Sequence, residues 1–243
     1  MIVRRGLVAL VGAAAFMAAP TLAQTPDELN ARCVNLGRLF SHDEQVLACT
    51  RQLALPGRTP AQRAIVHNNR GNAFRAVREY GAAIADYDEA ISLDPTYANA
   101  YNNRGIANRA AGLADRAVAD FDAALRINPA FASAYGNRGS AYADRGDLSR
   151  AIADYTRAVE LDPDYSNAYN NRGNLFRQLR DYDRAIADFN AALRINPRYA
   201  GAYNNRGRTY QAMGEMERAL ADFEQARLIE PNNPAYQGFG KRR

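Results

Sequence analysis

The chain is 243 residues long, with 31 Lys+Arg against 26 Asp+Glu, a formal charge of +5, two cysteines and two histidines. The excess charge sits at the two ends: losing Arg4 and Arg5 with an amino-terminal leader lowers it from +5 to +3, and Lys241-Arg242-Arg243 holds that remainder. With no basic stripe along the body, nucleic acid is not an expected partner. The cysteines form no C-x-x-C motif and, with His42 and His67, show no zinc-ligand spacing, which argues against a thiol redox centre or a zinc site.

Residues 1–23 read as a cleavable secretory signal. Arg4 and Arg5 precede the uncharged run Gly6–Ala19, followed by Thr21-Leu22-Ala23, a small-residue cleavage pattern. The run is short for a bilayer span, so the mature chain is expected to begin at Gln24, in the periplasm or outside the cell, with no membrane span after cleavage.

Residues 24–63 read as a degenerate helical hairpin that caps the amino-terminal end of a repeat array. In the frame Asn30–Arg63, Asn35, Gly37 and Phe40 fall where Asn69, Gly71 and Phe74 fall in the next frame, and Pro56-Gly57 interrupts the second half. Cys33 falls on its first helix and Cys49 on its second. Export favours a Cys33–Cys49 disulfide, which in the chain-entropy view contributes roughly 3 kcal/mol.

From residue 64 to 233 the sequence repeats at 34 residues without gap: Ala64–Tyr97, Ala98–Phe131, Ala132–Tyr165, Ser166–Tyr199 and Ala200–Asn233. Within the third copy Tyr135, Gly139 and Tyr142 share one helical face, and Ala151, Tyr155 and Ala158 share another. Gly146-Asp147 turns the chain between the two helices and Pro163 stops the second. Each copy is thus a helix–turn–helix unit. Residues 234–243 form a short tail ending in the basic triplet.

The eighth-position glycines (Gly71, Gly105, Gly139, Gly173, Gly207), the alanines Ala83, Ala117, Ala151, Ala185 and Ala219, the aromatics Tyr87, Phe121, Tyr155, Phe189 and Phe223, and the closing prolines Pro95, Pro129, Pro163, Pro197 and Pro231 together resemble the tetratricopeptide repeat. The resemblance covers residues 64–233. It departs at the seventh position, which is Arg in every copy. It departs also at Asn108, which takes an aromatic slot, and at Arg78 and Arg180, which replace the turn glycine. Asp86, Asp120, Asp154, Asp188 and Asp222 are the expected partners of the seventh-position arginines. The tyrosines Tyr101, Tyr135, Tyr169 and Tyr203 are expected to pack in the core.

The resemblance implies an all-α solenoid, a right-handed superhelix of stacked hairpins that binds an extended peptide in a concave groove lined by the first helices. The sixth position supplies Asn69, Asn103, Asn137, Asn171 and Asn205. The fifth adds Asn68, Asn102, Asn170 and Asn204, and the twelfth adds Arg75, Arg109 and Arg177. A carboxamide pairs with both N–H and C=O of a peptide backbone, and the arginines would favour carboxylates. These groove side chains are expected to face solvent. The lysines of the chaperone carboxylate clamp are replaced by Asn68 and its equivalents, which argues against that mode of C-terminal recognition. No cofactor is expected, and no nucleophile, acid–base pair or metal set stands outside the repeat. The expected function is a non-enzymatic scaffold or adaptor of the cell envelope. The alternatives are a non-catalytic subunit of an envelope enzyme complex or a self-associating structural module.

Overall fold

A computed structural model describes residues 25–35 and 39–236; the signal sequence, Gly37 and the basic triplet lie outside the described residues. Among those residues there are twelve α-helices, which run in antiparallel pairs. They are α1 (Pro26–Val34), α2 (His42–Ala54), α3 (Pro60–Ala76), α4 (Tyr80–Leu93), α5 (Ala98–Ala110), α6 (Ala114–Ile127), α7 (Ala132–Asp144), α8 (Leu148–Leu161), α9 (Ser166–Gln178), α10 (Tyr182–Ile195), α11 (Ala200–Met213) and α12 (Met216–Ile229), followed by a 3-10 turn at Pro234–Tyr236. No helix among them is long and apolar enough to cross a membrane.

The unit's construction rests on two recurring contacts. The eighth-position glycine leaves room for the aromatic ring of the second helix. A Cβ on Gly71 would lie 2.7 Å from Tyr87, and one on Gly105 would lie 2.6 Å from Phe121. Tyr87, Phe121 and Phe189 are consequently among the most buried large side chains, and burial pushes the Tyr87 phenol up to about 12. Two residues past each of α4, α6, α8, α10 and α12 comes a proline, which ends the helix and starts the link to the next hairpin.

The turns within hairpins need a left-handed residue. Gly112, Gly146 and Gly214 supply it at φ near +80°, whereas Arg78 and Arg180 adopt φ of 65° and 60° in the equivalent places. The Asp147 side chain accepts from the Arg150 N–H at 3.1 Å and so caps α8.

The amino-terminal pair α1–α2 carries Cys33 and Cys49, joined with an S–S distance of 2.11 Å and buried beside Leu29, Ala48 and Val66. The following helix starts at Pro60, ahead of the repeat frame at Ala64. Thr59 and Gln62 form a capping box there, and Pro60 occupies the first turn.

Each seventh-position arginine ties three helices together. Arg138 forks onto Asp154 of its own hairpin at 2.7 and 2.8 Å and reaches Asp122 of the preceding hairpin at 2.6 Å. Arg104 does the same with Asp120 and Asp88. Arg172 and Arg206 keep the in-hairpin aspartate (Asp188, Asp222), but meet the neutral Thr156 and Asn190 across the junction. Arg70 pairs with Asp86 and touches Thr50 of α2. The same guanidiniums lie over Tyr101, Tyr135, Tyr169 and Tyr203 at 5.4–5.6 Å from the ring centres, so the tyrosine ladder belongs to the packing.

The first helices touch their counterparts one hairpin on (α1–α3, α3–α5, α5–α7, α9–α11), while the second helices do not approach each other comparably. The array therefore bends with the first helices inside, and their outward positions floor a concave groove.

Candidate functional site

The groove asparagines bond to one another before they can bond to anything else. Asn103 Nδ2 donates to Asn68 Oδ1 at 2.9 Å, Asn137 to Asn102 at 3.0 Å, and Asn205 to Asn170 at 3.0 Å. Each bond links a sixth-position carboxamide to the fifth-position carboxamide of the preceding repeat. The fifth-position members Asn68, Asn102, Asn170 and Asn204 are buried, and the sixth-position members are half-buried. The structure thus places much of this polar row within the groove floor, in place of the fully solvent-facing row expected from the sequence. The last acceptor, Asn204 Oδ1, has no following donor among the described residues.

The row is interrupted once between its ends. The fifth position of the third repeat is Gly136, and the Tyr165 ring takes the space beside it: a Cβ there would lie 2.8 Å from the ring. Asn171, whose counterparts donate across the junction, has no carboxamide to reach. Its Oδ1 accepts from Asn170 at 3.3 Å, and its side chain, with no carboxamide to reach across the junction, meets the Tyr155 phenol instead. At the same junction α7 and α9 fall short of the contact made by the other first-helix pairs.

A cleft of about 300 Å³ opens there, lined by Arg109, Ser140, Asp144, Tyr155, Asn171 and Asn174 among others. Ser140 Oγ and Tyr155 Oη are 2.9 Å apart, and burial pushes the Tyr155 phenol up, so it remains a neutral hydrogen-bonding group. The cleft offers donors from Asn171 and Asn174 beside the Asp144 carboxylate and hydroxyls, a set suited to backbone amides.

The three groove arginines differ. Arg109 Nε is bound to Asp144 at 2.6 Å, so its charge is already answered. Arg75 and Arg177 each carry a buried Nε–H with no hydrogen-bond partner. Arg177 donates to Asn174 Oδ1 at 2.5 Å, and burial together with the neighbouring Arg208 cation pushes it below the usual arginine value. Among the described residues neither Arg177 nor Arg208 pairs with a carboxylate. Arg177 therefore stands beside the cleft residue Asn174 as a cation without a carboxylate partner.

Of the sequence-derived residues, the cleft gathers Asn171 and Arg109, with Arg177 at its edge; Asn69, Asn103, Asn137 and Asn205 are spread along the floor. Ser140, Asp144 and Tyr155 were not anticipated. The available signal was Gly136, the single repeat lacking asparagine at the fifth position.

No group of His, Cys, Asp and Glu able to hold a metal ion occurs among the described residues. Comparison with family models matches residues 71–112 to "TPR repeat" and residues 109–166, 137–200 and 176–240 to "Tetratricopeptide repeat". No curated protein is a significant match by sequence. Among solved structures, the chain is similar to YrrB, described as a TPR protein with an unusual peptide-binding site: 28% identity, TM-score 0.56, covering 71% of this chain and 89% of that one. It shares its fold with a tetratricopeptide repeat protein from Parabacteroides merdae (20% identity, TM-score 0.68, 87% and 82% covered). The same holds for PilW, a type IV pilus biogenesis factor (22% identity, TM-score 0.66, 71% and 80% covered). The chain belongs to the tetratricopeptide repeat proteins.

Proposed function

We propose that this protein is an exported, non-catalytic scaffold that captures an extended peptide segment of a partner protein in the concave groove, anchored at the cleft between the third and fourth repeats. The observation that carries this reading is the gap at Gly136, which leaves Asn171 Nδ2 without a carboxamide partner at the one junction between repeats that lacks an Asn–Asn bond. A peptide carbonyl would accept from Asn171, a peptide N–H would donate to Asp144 or Tyr155, and an acidic side chain would answer Arg177. Support for a peptide ligand also comes from YrrB, similar to this chain over most of both lengths and described by its peptide-binding site. Export is supported by the composition of Met1–Ala23 and by the Cys33–Cys49 bond, since disulfides persist in oxidising compartments.

The test is selection of peptides from a displayed random library on the mature chain, followed by amide shift mapping. Shifts centred on Asn171 and Asn174, with acidic residues enriched in the selected peptides, are expected. Shifts confined to the second helices would refute the groove as the binding surface.

A further inference from the structure

The eleventh position of each repeat is aromatic in four copies (Phe74, Tyr142, Phe176, Tyr210) and Asn108 in the second. At about 100° per residue this position points away from the groove positions of its helix. In the last three repeats the ring lies under two guanidiniums. Arg150 and Arg138 are 4.4 and 5.9 Å from the centre of Tyr142, Arg184 and Arg172 are 4.3 and 6.0 Å from Phe176, and Arg218 and Arg206 are 5.6 and 6.0 Å from Tyr210.

The second repeat keeps the two arginines, Arg116 and Arg104, and lacks the ring. In its place is a pocket of about 320 Å³ lined by Ile84, Asp88, Arg104, Asn108, Arg116 and Asp120. The Ile84 wall corresponds to Ile152, which packs on Phe176 two repeats further along.

The pocket floor has an unmet need. Asn108 is 4% exposed, and its Nδ2 donates to Asp120 Oδ2 at 2.8 Å. A carboxylate only accepts, so this bond fixes the amide orientation and turns Oδ1 away from Asp120. That Oδ1 is buried without a hydrogen-bond partner. At the mouth, Arg116 is exposed and pairs with no carboxylate among the described residues.

We propose that this pocket binds a phenol ring, supplied by a tyrosine side chain of a partner protein. A ring arriving from solvent enters tip first. Its hydroxyl then donates to Asn108 Oδ1 while the ring takes the place between Arg116 and Arg104 that the chain's own aromatics fill elsewhere. A phenylalanine would fill the space and leave the carbonyl unsatisfied. A carboxylate beside the tyrosine would answer Arg116, which favours a peptide over a free phenol. The site lies on the face opposite the groove and does not depend on it.

The test follows the Asn108 side-chain amide and Arg116 Nε–H resonances of the mature chain during titration with three probes: N-acetyl-tyrosinamide, the peptide acetyl-Asp-Tyr-Asp-amide, and p-cresol as the free phenol. Saturable shifts are expected from all three, tightest from the peptide. N-acetyl-phenylalaninamide should bind at least about fivefold more weakly than its tyrosine counterpart. Asn108→Phe should abolish binding by filling the pocket, Arg116→Ala should weaken it while leaving the fold unchanged, and Asn171→Ala should have no effect. Absence of saturable shifts, equal binding of the phenylalanine probe, or undiminished binding by both Asn108→Phe and Arg116→Ala would overturn the proposal. Binding of p-cresol with exclusion of the peptide would overturn its assignment to a partner protein.

Discussion

Asn137 donates through Nδ2 to Oδ1 of Asn102, 35 residues earlier, at 3.0 Å, joining α7 to α5 along the groove floor. Asn171 stands at the same position one repeat on and makes no such bond, because Gly136 stands where its acceptor would be. The two asparagines should therefore respond differently to truncation. Asn137→Ala leaves the buried Asn102 carbonyl without its donor and should cost about 1–2 kcal/mol in denaturant unfolding. Asn171→Ala removes only the longer 3.3 Å contact from its neighbour Asn170 and should cost less, about 0.5–1 kcal/mol.

Arg78 and Arg180 hold the left-handed turn conformation that glycine holds in the other repeats. Both are exposed, and a side chain in that region costs roughly 1 kcal/mol. Arg78→Gly and Arg180→Gly should each stabilise the array by about 0.5–1 kcal/mol, while Gly146→Ala should destabilise it by a similar amount. Chemical denaturation of the three variants against the parent measures both signs.

Asp86 accepts from Arg70 at 2.7 and 2.8 Å and lies 2.9 Å from His67 Nδ1. Burial alone would raise its carboxyl, but the hydrogen bonds from Arg70 and His67 outweigh that and hold it below the ordinary aspartate value. A carboxyl depressed on folding contributes stability that is present above its unfolded pKa and lost as pH falls through the folded value. The junction between α3 and α4 should thus weaken below about pH 4. Asp86→Asn should cost about 2 kcal/mol or more at neutral pH, tempered by the partial exposure of Arg70, and should flatten the acid limb of the stability curve.

The pairing of seventh-position arginines with aspartates was legible in the sequence, because both recur at the repeat period, and so were the hairpins, whose glycine, aromatic and proline positions mark helix contact and helix end. The carboxamide row was legible as residues and not as bonds. Asn102 and Asn137 lie in different repeats, and only the bend of the array brings the fifth position of one under the sixth of the next. For the same reason Asp144 could not be seen to answer Arg109, nor Gly136 to free Asn171. The early start of α3 at Pro60 was written in Thr59 and Gln62, but the repeat frame drew attention to Ala64 instead.

Cys33 and Cys49 close a loop with a sequence separation of 16 inside the first hairpin. Reduction should destabilise that hairpin by about 3 kcal/mol in the chain-entropy picture. Because each repeat contacts only its neighbours, the loss should stay local. Hydrogen exchange should accelerate in α1, α2 and the start of α3, with α7–α12 unchanged; uniform acceleration along the chain would show that the array unfolds as one unit.

The most direct test of the groove account is the dissociation constant of a library-selected peptide, measured by calorimetry at low ionic strength against the parent, Asn171→Ala, Asn137→Ala and Arg177→Ala. Asn171→Ala should weaken binding at least tenfold, about 1.4 kcal/mol, with its circular dichroism unchanged and its unfolding midpoint lowered less than that of Asn137→Ala. Asn137→Ala should leave affinity near the parent's, and the Arg177→Ala defect should shrink as salt is added. Parental affinity in a fully folded Asn171→Ala variant would contradict the claim that the gap at Gly136 is the place where this protein holds its ligand.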